Sequence, residues 1–179
     1  MPGMWWVLGA LAVAAVLSAY LAWTSHRVER VHVRAQSAGR SLDAHLLRRA
    51  AAAAVVAEET DFAELYAAAR LALDAEQDER EAAENDLTRQ LQSARLTGTT
   101  AATRTLMATS RRVVLARQVH TDLVRDALTA RRRPLVRLLR MARQYERPRY
   151  FDIVEPTLPE PMTVAPRPAP EPPVPVEAA

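Results

Sequence analysis

Asp43 with His45, and His120 with Asp122, are the side chains of this sequence best suited to hold a cation or a small polar ligand. In each stretch an imidazole and a carboxylate stand two residues apart, and both groups are ordinary metal donors. Arg49, Arg70 and Asp126 are the internal charges that would surround them. The same seven residues permit a plainer chemistry: a polar layer inside a helical rod, with Arg49 and Arg70 neutralised by Asp126 and the helix register fixed by the match. That layer is the favoured reading. Metal sites built between packed helices draw on Glu-x-x-His motifs, and neither His45 nor His120 belongs to one. No metal and no cofactor is expected.

Catalysis has little to stand on. The chain has no cysteine, no glycine-rich phosphate loop, no Gly-x-Ser-x-Gly elbow and no His-Glu-x-x-His. An enzyme is not expected. The net charge of +3 conceals blocks of opposite sign. Residues 24–57 carry +4, residues 58–86 carry −9, residues 87–151 carry +12, and the tail from Asp152 carries −4. Every basic side chain other than histidine is arginine.

The elements that position these residues begin with an anchor. Residues 1–4 are a short N-terminus, and Trp5 to Trp23 is a run without a single charge. At ~1.5 Å per residue it nearly reaches across the ~30 Å hydrocarbon core of a bilayer. Trp5 and Trp6 at one end, and Tyr20 and Trp23 at the other, suit the two headgroup interfaces. A cleaved signal peptide is disfavoured, because Met1 to Met4 lacks basic side chains. Arg27, Arg30 and Arg34 follow the span directly. The positive-inside rule then predicts a single-pass protein of the cell membrane, with its N-terminus outside and its body in the cytoplasm.

Few glycines and an alanine-, leucine- and arginine-rich body predict an all-α chain: one transmembrane helix continuous with an antiparallel bundle of long helices over residues 24–152. The first helix meets no stop before Glu58. Asp61 and Glu64 have capping-box spacing, which predicts a second helix from Phe62 to about Leu96. Thr97-Gly98-Thr99-Thr100 is the next break, and a third helix runs from Ala101 to about Arg132. Pro134 fits the first turn of a short fourth helix. Residues 153–179 are proline-rich and acidic, and are expected to be disordered.

With turns near residues 60 and 98, the first and third helices run parallel, offset by about 77 residues. Asp43 then lies level with His120, His45 with Asp122, and Arg49 with both Arg70 and Asp126. Glu84 would face Arg112, and Asp86 would face Arg111. The basic stretch Arg131 to Arg149 would sit at the end of the rod far from the membrane, beside the acids of residues 58–64. It lacks the aromatic interleaving that single-stranded nucleic acid uses, so nucleic acid is not an expected partner.

Three segments carry a resemblance. Ser41-Leu42-Asp43-Ala44-His45-Leu46-Leu47-Arg48-Arg49 is similar to an apolar-Asp-x-x-Leu-x-Arg-Arg segment of the LemA family of membrane-anchored helical proteins. The stretch from Ala116 to Asp126 resembles that family's Ala-Arg-x-x-Tyr-Asn-Asp-x-Val, with His120 and Thr121 in place of Tyr-Asn. Arg149-Tyr150-Phe151-Asp152 is similar to the aromatic pair and acid that end the family's folded part. Gly39 stands where the family usually has tryptophan. The resemblance implies an antiparallel helical bundle on a membrane anchor, without an established enzymatic activity.

The expected function is a non-enzymatic adaptor that recruits protein partners at the cytoplasmic face, with the bilayer as its other partner and a homo-oligomer left open. The alternative is a membrane protein binding a metal or small ligand through the layer around His45 and His120. Orientation is the part of this reading open to direct test. A reporter fused after Ala179 should resist protease added outside intact cells, and its digestion would reverse the assignment.

Overall fold

Alanine, leucine and arginine are strong helix formers, and with proline nearly confined to the ends the body of the chain has nothing to hold it in any other state. The computed structural model describes residues 3–94, 96 and 100–153, and among these there is no strand. The helices are α1 (Gly3–Thr60), α2 (Ala63–Asp74), α3 (Arg80–Ser93), α4 (Ala101–Arg132) and α5 (Pro134–Leu138). The proline-rich tail beyond Ile153 and the Thr97–Thr99 break lie outside the described residues.

α1 runs unbroken from the apolar N-terminal span into the body. It is the one described helix long and apolar enough to cross a membrane, and side chains 3–20 are exposed along it. Burial begins at Thr24 and Val28, directly after Trp23. α4 has the expected bounds. Thr100 caps it, its Oγ1 accepting a hydrogen bond from the Thr103 N–H at 3.2 Å. Pro134 opens α5 in the first turn, where its missing N–H is not needed.

The capping box at Asp61 is not formed. Phe62 occupies the N-cap of α2 and makes no side-chain cap bond. Asp61 instead ends α1, with φ at 54°. The Phe62 N–H reaches back to the Ala57 carbonyl at 3.0 Å, and Phe62 packs on the same core as Ala57. That combination is the left-handed C-terminal stop of a helix, here made with aspartate instead of glycine. Arg140, with φ at 51°, makes the same stop after α5, with the Met141 N–H on the Val136 carbonyl at 3.1 Å.

The single second helix expected from Phe62 to Leu96 is two helices. It breaks at Ala75–Glu79, where Asp74, Glu76, Asp78 and Glu79 crowd like charges together. The break puts Glu79 and Glu81 at the start of α3, where the helix dipole favours them. Arg80 closes the turn by donating to the Ala75 carbonyl at 2.8 Å.

This extra reversal changes everything after it. Asp43 meets Arg80 and Arg49 meets Glu84, so numbers rise together on α1 and α3. Along α4 they run oppositely: Glu59 meets Thr100, Leu42 and Leu46 pack with Val113, Gly39 meets His120, and His32 meets Arg131. The parallel register of the first and third long helices is therefore wrong, and α4 runs back toward the apolar span. Three apolar clusters mark the descent. Ala50, Ala53 and Val56 pack with Leu65, Leu87, Leu91 and Leu106. Leu42, Leu46 and Val113 enclose Ile153, and Val28 packs with Val136 and Ala142 next to the anchor.

A non-glycine residue held at positive φ costs about 1–2 kcal/mol. Asp61→Gly should therefore raise the stability of the full chain in detergent micelles by about 1 kcal/mol. Urea unfolding followed by circular dichroism measures this, and a loss of stability would show that the aspartate side chain is needed at the turn.

Candidate functional site

Of all the charges in the body, Arg49 is the most deeply enclosed. Both it and Glu84 have no solvent exposure. One guanidinium nitrogen, Nη2, donates to Glu84 Oε2, to the Glu84 carbonyl at 3.2 Å and to Thr88 Oγ1 at 3.1 Å. Thr88 in turn donates to the Glu84 carbonyl at 2.8 Å. Burial pushes the Glu84 carboxyl above its ordinary range, and Arg49, then Arg80, pull it partly back. The pair fastens α3 to α1 at the centre of the alanine-rich core.

One layer nearer the anchor, a groove of about 770 Å³ opens between α1, the Ala75–Glu79 turn, α4 and the returning segment 146–151. Asp43 and His120 both line it, with Arg80, Glu81, Tyr150 and Phe151. Asp43 pairs with Arg80 at 3.7 Å, and Glu81 accepts the Asp152 N–H at 3.2 Å. His120 is buried, and its Nδ1 has no hydrogen-bond partner. Burial pushes its pKa below the ordinary histidine value, with Asp43 pulling it back, so the ring is neutral at neutral pH. A Cβ on Gly39 would lie 3.7 Å from His120 Nε2, an ordinary contact.

The seven residues expected to form one polar layer are scattered. Asp43 and His120 do share the groove, although they meet because α4 runs opposite to α1. His45 is half-buried and makes no hydrogen bond or ion pair among the described residues. Arg49 takes Glu84, and neither Asp126 nor Arg70. Arg70 is exposed and lies 3.7 Å from Asp74. Asp122 is exposed on Arg125 at 3.2 Å, and Asp126 is exposed without an ion pair among the described residues. Asp126→Ala is then a surface change, worth within about 0.5 kcal/mol. Nor does Glu84 face Arg112: Asp86 likewise turns to Arg89, at 2.7 Å.

Among the described residues no three His, Cys, Asp or Glu side chains come close enough to share a metal ion. The chain's one Glu-x-x-His spacing, Glu29 to His32, is split. Glu29 lies 3.5 Å from His26, whereas His32 is buried between the Val28 carbonyl and Arg131. At the anchor's end, the Tyr20 and Trp23 rings lie 6.2 Å apart, and the Arg27 guanidinium sits 5.8 Å above the Trp23 ring. Trp5, Trp6 and Arg30 are exposed.

Glu84 carries a signal that is readable in the sequence. Glu84, Leu87, Thr88 and Leu91 fall at steps of three, four and seven, so an acid stands within the apolar stripe of α3. No family model, curated protein or solved structure matches the chain. The class that stands is an all-helical protein with one helix able to span a membrane.

Removing one partner of a buried ion pair strands the other charge. Glu84→Ala should cost about 3–5 kcal/mol, and the double change Arg49→Met with Glu84→Leu should recover most of it. Folding raises the Glu84 pKa, so stability from this group is fully present below the ordinary glutamate value and is lost as pH rises through the raised value. The difference in urea midpoint between wild type and Glu84→Gln, followed from pH 7 downward, should show stability growing in the wild type. A slope of the opposite sign would mean that Arg49 outweighs burial.

Proposed function

We propose that this protein is a single-pass, membrane-anchored helical adaptor of the LemA type, an antiparallel bundle that presents binding surface to partners at the cytoplasmic face. The observation that carries the reading is the continuity of α1. One helix of 58 residues passes from an exposed apolar span into the buried seam of the body, leaving no joint between anchor and body. The LemA resemblance gains support from convergence. Leu42 and Leu46 of its first segment, Ala116 of its second and Phe151 of its third belong to one apolar cluster. Segments far apart in sequence that share one cluster fit a common folding unit better than chance similarity.

The small-ligand alternative keeps one specific observation, the groove that holds Asp43 and His120 together. Gly39 lines it where the resemblance implies tryptophan, so the opening is the room a large side chain would fill.

Recruitment by charge is testable. The acids of the Ala75–Glu79 turn are exposed, whereas Glu84 behind them is spent internally. Partners gripping that turn are steered by an unbalanced, exposed patch that salt screens, whereas the rod rests on apolar seams and one buried pair. Crosslinking in native membranes, read by mass spectrometry, should recover partners at about 0.1 M salt and lose them at several times that, where the ~10 Å Debye length shrinks. Circular dichroism of the purified chain should stay unchanged over the same range. Equal crosslinking at all salt concentrations, or melting of the helices with salt, would remove the adaptor reading's support.

A further inference from the structure

The basic stretch from Arg131 to Arg143 lies toward the end of the rod nearest the apolar span. Val136 and Ala142 pack on Val28, five residues past Trp23. A cavity beside α5 is lined by Ser25 together with Arg140, Met141, Arg143 and Gln144. Ser25 is only ~3 Å along the helix axis beyond Trp23. The headgroup layer extends roughly 5–8 Å on each side of the hydrocarbon, so Arg140 and Arg143 stand at its depth.

Three further observations agree. Arg132, Arg133, Arg137, Arg140 and Arg143 are exposed, with no side-chain partner among the described residues. Leu138 is 79% exposed, more than any other large apolar side chain described outside the anchor, and Leu139 beside it is 45% exposed. The left-handed stop at Arg140 makes this the point where the chain turns, and from there it climbs away. Tyr145 stacks on His32 with ring centres 5.0 Å apart, and Arg131 donates to the Tyr145 carbonyl at 3.1 Å. The lowest part of the body thus carries unpaired guanidinium groups around bare leucines.

From this we infer that residues 132–143 form an interfacial collar that binds anionic phospholipid headgroups in the leaflet facing the body. Leu138 and Leu139 enter the acyl boundary and the arginines take the phosphates. Arginine suits that role through its bidentate fork, and a polybasic cluster beside an apolar anchor is drawn to negative lipid. The inference rests on the membrane anchor of the proposed function and not on recruitment of partners.

The test uses the full chain in vesicles of phosphatidylcholine with about one-third phosphatidylglycerol, a content at which a basic surface segment feels the membrane's negative potential. Spin-labelled lipids report which headgroup the protein prefers. The expected preference for the anionic lipid is at least about threefold at low salt, falling toward one as salt screens it. The variant with Arg137, Arg140 and Arg143 all changed to Gln should fall to near one at low salt, with helicity retained. The wild-type ratio and its salt dependence need no substitution, so they decide the matter even if that variant misfolds. A wild-type ratio near one in protein that floats with the vesicles overturns the collar and leaves the anchor standing. If that ratio rises on removal of residues 154–179, the collar is covered by the chain's own acidic tail, and the lipid assignment is lost. Protein that fails to float overturns both.

Discussion

The arrangement of this protein depends on where the Arg49 guanidinium finds an anion. α1 carries the arginine into an alanine-rich core, where a charge without a partner is intolerable. Only an acid on a helix lying directly against α1 can answer it. Glu84 does so, and the chain must reverse between Asp74 and Arg80 to bring it there. That reversal sets the direction of α3, and α3 in turn sets where α4 begins. The alanine seams supply most of the contact yet little selectivity, because alanine faces resemble one another at every register. Asp43 with Arg80 repeats the match at the rim, with acid and base exchanged between the helices.

Much of the architecture was legible in the residues. The apolar span, the length of α1, the bounds of α4, its threonine cap and the proline at the start of α5 follow from local chemistry. The break within residues 62–96 was not, because alanine, leucine, glutamate and glutamine there all favour continuing a helix. It is decided by partners remote in sequence, Asp43 and Arg49, aided by repulsion among the acids. This one reversal turns α4 end for end relative to a chain without it. It brings the start of the basic stretch beside the apolar span and away from the far tip.

The candidate site shows the same division. That Arg49 needs an internal acid is a matter of residue type, but which acid meets it depends on a register set by the reversal at Ala75–Glu79. Asp43 and His120 were placed together and do share the groove. Their meeting survives the wrong direction because His120 lies near the middle of α4 and Asp43 near the middle of the part of α1 that α4 packs along, where reversal displaces positions least. Asp61 likewise looked like a helix start because aspartate serves both ends: its side chain caps, and its backbone tolerates positive φ.

The unbroken passage of α1 from apolar span to core makes the body's azimuth around the axis of that span a property of helix phase. Each residue advances a helix by about 100°. Lengthening the stretch between Trp23 and Val28 by one residue would swing the whole body a quarter-turn or more about its own mast, carrying α4 and the groove to a different compass bearing. Two such chains with their spans held side by side could therefore present their grooves to each other only at bearings those spans dictate, so spans of equal apolarity are not interchangeable.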